Sequence, residues 1–264
     1  MPTVVDVAAD LAAEHADLDA LVGPLSRDDW SRDTPSPGWT IADQIGHLGY
    51  FDRTAALAIT DGERFKAEAE KMLESFESSD VDSTLDAPRA MAAADLLAWW
   101  RAGRTGLIEA AATLTDDTRL PWYGPDMGSK SFLTARLMET WAHGQDIADA
   151  LEVDREPTDR LRHIAQLGVI TRSWSYVNRG LEPNKTPVQV SLTAPSGVIW
   201  VWGDDDAPST VTGSAEEFCQ VTTQRRHAAD TGLEAIGAAA VEWMEIAQAF
   251  AGDPTEGPKA GSFR

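Results

Sequence analysis

The chain has 264 residues, 43% of them hydrophobic, enough for one large or two modest domains. Its formal charge of −21, from 43 acids against 22 lysines and arginines, repels phosphate backbones and anionic lipid surfaces, so neither a nucleic-acid nor a membrane partner is expected. One cysteine, Cys219, excludes an intrachain disulfide and thiolate-rich zinc sites, and points to a reducing, cytoplasmic setting.

Met1 to Asp6 lack a basic start followed by an apolar run, so no signal peptide is expected. The apolar stretches fall far short of the ~18 residues of a spanning helix. Val4, Val7, Leu11, Leu18 and Val22 recur at helical spacing over 4–22. Two prolines and a glycine fix a loop over Thr34-Pro35-Ser36-Pro37-Gly38-Trp39-Thr40. Thr40 is the predicted N-cap of a helix over about 41–60, with Asp43 at capping-box distance. A helical extension and a Ser-rich loop occupy 63–86. Further helices are predicted over about 90–114, 132–151 and 158–178, with a loop at Pro121-Trp122-Tyr123-Gly124-Pro125. Four long helices predict an up-and-down bundle as the first domain, residues 1–182.

The period then changes. Val188, Val190 and Leu192 alternate with polar residues, and Val198 to Trp202 form a second strand across the Ala194-Pro195-Ser196-Gly197 turn. A short strand at 210–213 and helices over 215–227 and 238–251 complete a small α+β domain, residues 183–264, with a disordered tail. The fold class is mainly α.

Glu139 and His143 stand four residues apart, so both project from one face of the fourth helix. That spacing also suits a solvated face with a favourable side-chain pair. However, Leu133, Leu137 and Trp141 place Glu139 near the apolar stripe, where a carboxylate is costly unless paired or ligated. With His47 from a facing helix, the three would make a His/His/Glu metal site with an open position. Asp146, three residues after His143, and Asp43, four before His47, are each placed to accept the second imidazole N–H and fix a ring. Cys219 reads as a buried inert thiol. Arg225 and Arg226 read as a helix-terminal charge pair or as an anion clamp for a substrate carboxylate.

Trp30 and the run Thr34-Pro35-Ser36-Pro37-Gly38-Trp39-Thr40 through Asp43 to His47-Leu48 resemble the first signature of the mycothiol-dependent maleylpyruvate isomerase family, with Ser36 where cysteine is common. Glu139, Trp141, His143 and Asp146 match its second signature, E-x-W-x-H-x-x-D. The resemblance covers nearly the whole chain and implies a DinB-like metal-binding four-helix bundle, with His47, Glu139 and His143 as ligands. It also implies a small C-terminal α/β domain in which Arg225 serves catalysis, although Gln224 stands where the family usually has glycine. The ending Ile246-Ala247-Gln248-Ala249-Phe250-Ala251-Gly252 is similar to an actinobacterial subgroup.

The expected activity is that of a metal-dependent enzyme. His/His/Glu ligands suit zinc best, and nickel, iron and manganese to different degrees. The resemblance adds mycothiol as the thiol cosubstrate, acting on a small electrophilic, carboxylate-bearing substrate by isomerisation or thiol transfer. Two other readings stay open: a hydrolase using bound water on the same ligands, and a non-catalytic metal- or ligand-binding protein. Whether the chain forms a homodimer is open too.

Overall fold

The structure, a computed structural model, describes residues 2–78 and 83–263. Part of the loop expected within 63–86, residues 79–82, lies outside them. The chain divides into two compact units that meet between Arg155 and Glu156.

The first unit holds α1 (Val4–Val22), α2 (Arg27–Trp30), α3 (Ile41–Thr60), α4 (Gly62–Ser78), α5 (Asp86–Arg89), α6 (Ala93–Ala111), the two-residue strands β1 (Arg119–Leu120) and β2 (Met127–Gly128), and α7 (Ser129–Leu151). The four long helices α1, α3, α6 and α7 form the bundle: α3 packs on α6 and α7, and α1 on α7 and α6. Three helices start on one device. Thr3, Ser26 and Thr40 each accept the N3 backbone N–H, while Asp6, Asp29 and Asp43 accept the N-cap N–H in return. Ile41, Ile45 and Leu48 of α3 close a core with Leu18, Leu96, Trp100 and Ile147. Gly49 permits the close α3–α6 approach, since a Cβ there would lie 2.3 Å from the Trp99 ring.

A polar cluster is buried within this core. Asp52 of α3 is fully buried and faces His15 of α1 at 3.3 Å and Arg136 of α7 at 3.0 Å. The His15 contact has an ion-pair distance without the alignment of a hydrogen bond. Burial pushes the Asp52 carboxyl up, but the charges facing it from His15 and Arg136 outweigh that and hold it below the usual carboxylate value.

The second unit holds α8 (Leu161–Ile170), α9 (Arg172–Val177), β3 (Val188–Thr193), β4 (Ile199–Trp202), β5 (Ser209–Ser214), α10 (Ala215–Thr222), β6 (Glu234–Ile236) and α11 (Ala238–Ile246). Its sheet runs β4-β3-β5-β6, with β3 and β5 parallel and the outer pairs antiparallel. The hairpin of β3 and β4 matches the expected turn; β6 is absent from the sequence expectation, because three residues carry no readable period. The boundary also moves, from 182/183 to 155/156. The cause is the apolar face of α8: Gly168 lies against Phe218 and Thr222 of α10, and Cys219 Sγ–H donates to the Leu161 carbonyl at 3.6 Å.

The tail, expected to be disordered, makes hydrogen bonds with the rest of the second unit. Gln224 Nε2 donates to the Thr255 carbonyl, and Asp230 accepts the Gly261 N–H at 2.7 Å. Cys219 is fully buried, and that burial pushes its thiol well above the ordinary cysteine value. Iodoacetamide is therefore expected to leave Cys219 unmodified in the native protein and to label it readily in urea. Mass spectrometry reads both states, and fast native labelling would contradict the burial.

Candidate metal centre

The loop before α3 is built by its own sequence. Trp39 N–H donates to the Ser36 carbonyl at 3.1 Å, around Pro37 and a Gly38 with φ of 78°. Proline in the second position and glycine at positive φ in the third are what a type II turn requires. The turn sets the Trp39 ring over two imidazoles: nearly parallel to His143 at 5.8 Å between centroids, and tilted on His47 at 5.2 Å.

Below Trp39, α3 and α7 bring His47, Glu139 and His143 together. Their donor atoms all lie within 4.8 Å of one another. Glu139 Oε2 is 3.1 Å from His143 Nε2 and 3.7 Å from His47 Nε2. Metal–donor bonds of about 2.1 Å in a tetrahedron place ligand atoms roughly 3.4 Å apart, so these separations fit one small divalent ion. Desolvation pushes the Glu139 carboxyl up, but hydrogen bonds and charge from His143 and His47 prevail and hold it well below the usual carboxylate range.

A residue outside the sequence-based candidates orients His143. Gln44, fully buried on α3, donates through Nε2 to Thr34 Oγ1 at 2.8 Å, and Thr34 Oγ1 donates to the Trp39 carbonyl at 2.9 Å. Its Oε1 therefore faces His143 Nδ1, which donates to it, while Nε2 points at Glu139 Oε2. The readable signal was position, because Gln44 lies three residues before His47 on the same helical face. Asp146 was expected to accept from a ligand imidazole, but its Oδ2 is 4.0 Å from His143 Nδ1 and takes the Ser36 hydroxyl at 3.1 Å. Asp43, the other expected partner, is spent elsewhere. It accepts from Thr40 at the helix start and from Arg89 Nε at 2.7 Å, and His47 Nδ1 is buried without a hydrogen-bond partner.

Arg225 belongs to the second unit, where it is half-buried and donates to the Thr223 carbonyl at 2.7 Å. Gln224 before it takes φ of 59°, the left-handed region that glycine adopts freely.

Bundle, turn and donor cluster together define a DinB-like helical-bundle protein with three side chains that could hold a metal ion. The family profile described as "Mycothiol maleylpyruvate isomerase N-terminal domain" matches residues 11–148, and the chain belongs to that family. Uncharacterized proteins of two Mycobacterium tuberculosis strains, CDC 1551 and H37Rv, are each 49% identical over 249 residues, covering 94% of this chain and 96% of theirs. Two crystal structures of mycothiol-dependent maleylpyruvate isomerase, one of them a histidine-to-alanine mutant, share the fold. Their TM-scores are 0.58 and 0.60 at 14% identity, covering 98% of this chain and 97% of each. No helix among the described residues is long and apolar enough to cross a membrane.

Proposed function

We propose that this protein is a metal- and thiol-dependent enzyme in which His47, Glu139 and His143 hold one divalent ion, zinc by donor type, and a mycothiol-like thiol attacks a small electrophile. The observation that carries the reading is the convergence of two imidazoles and one carboxylate within 4.8 Å. A divalent ion held there supplies Lewis acidity that lowers the pKa of a bound thiol. The chain supplies the rest. Gln44 holds His143 in the tautomer whose Nε2 is free to ligate. Glu139 balances the ion's charge, and Trp39 covers the two imidazoles on one side. Arg225 is the guanidinium assigned to a substrate carboxylate.

The reaction class within this reading is isomerisation by addition and elimination, or thiol transfer. Cobalt-substituted protein tests it directly. Titration with mycothiol is expected to produce a sulfur-to-cobalt charge-transfer band at one equivalent. An unchanged spectrum would remove the thiol from the mechanism and leave water as the nucleophile.

A further inference from the structure

The loop at Pro121 to Pro125 is not used by the site just described, yet it lies beside it. Trp122 stacks on Phe65 with ring planes 2° apart and meets Phe132 edge-on. Tyr123 packs edge-on against Phe51 at 5.8 Å, and Phe51 also meets the His47 ring at 4.6 Å. Trp122 and Tyr123, which both contact Phe51, line a cavity of about 440 Å³ together with Phe65 and Ala69, with Lys66, Glu70 and Glu74 among its other walls. That volume falls in the range of small-molecule pockets.

The charges of this pocket select its occupant. Lys66 is engaged by Glu63 at 2.8 Å, while Glu70 and Glu74 contribute two carboxylates. An anion entering here meets like charge from Glu70 and Glu74 at the pocket's exposed edge. A flat uncharged ring meets indole and phenol groups suited to stacking and edge contacts. We infer that this pocket is a substrate subsite for an uncharged planar aromatic group, and that it discriminates against carboxylates. The inference rests on the proposed function for the identity of the ligand as the electrophile's non-reacting part. A substrate carboxylate, in that case, is held away from this pocket.

Equilibrium dialysis with naphthol and naphthoate tests the pocket without any turnover. Naphthol should bind the full-length protein about tenfold more tightly than naphthoate. Trp122→Ala should weaken naphthol about tenfold, and the double substitution Glu70→Gln, Glu74→Gln should close the gap by improving naphthoate. His143→Ala, which removes a proposed metal donor, should leave naphthol binding unchanged. Failure of the metal reading is therefore seen separately, as intact naphthol binding in a protein that holds no metal. Naphthoate binding as tightly as naphthol, or naphthol binding indifferent to Trp122→Ala, would overturn the subsite.

Discussion

Arg136→Met is expected to lower the unfolding free energy by about 3–5 kcal/mol, the usual result of removing one partner from a buried ion pair. The replacement fills similar volume, so the loss reports charge rather than a cavity. It leaves the fully buried Asp52 with only the unaligned contact from His15. Asp52→Asn alone should also be costly, but Asp52→Asn combined with Arg136→Met should cost less than the two losses added, because the uncompensated charge has gone. Urea midpoints measure all three, and strict additivity would show that the pair is not coupled. The cluster also sets a pH dependence. The folded value of Asp52 is depressed, so its stabilisation is fully present above its unfolded value of about 4 and is lost as pH falls through the lower folded value. The wild-type protein should therefore lose stability on acidification in a window where Asp52→Asn does not.

The second large effect concerns the proposed ion. His143→Ala should weaken zinc binding by more than about 100-fold, so that dialysed protein carries no stoichiometric metal. Gln44→Ala, which removes the group orienting His143, should weaken it about 10- to 100-fold. Asp43→Ala should leave metal affinity unchanged, because that carboxylate serves Thr40 and Arg89. Metal content by plasma emission, with competition against a chelator, separates the three. Full occupancy in His143→Ala would end the metal reading. Equal losses at Asp43 and Gln44 would mean that helix stability rather than ring orientation governs affinity.

Much of this site was legible because its parts are local. Thr40 and Asp43 start α3 by a three-residue rule, and Glu139 and His143 share a face by a four-residue rule. Pro37 and Gly38 encode their turn. What could not be read was which partner each polar atom takes across helices. Asp146 lies three residues from His143 and Gln44 three from His47, and only the packing of α3 on α7 brings Gln44 to His143. The same holds for the fold. The α8 segment has helical period, but period does not say whether its apolar face meets the bundle or α10. The tail from Gly252 has no periodicity, and its contacts are single hydrogen bonds donated by such residues as Gln224 and Arg179.

Trp39 contributes at two ends of one chain of contacts. Its ring lies over His143, and its carbonyl accepts from Thr34, which in turn accepts from Gln44, the residue that fixes the His143 tautomer. A small molecule that displaces this indole also loosens the grip on the imidazole beneath. Thermodynamic linkage makes the relation reciprocal: the factor by which such a molecule changes affinity for the ion equals the factor by which the ion changes affinity for the molecule. Loading and unloading of the proposed centre would thereby be tied to what lies against its roof.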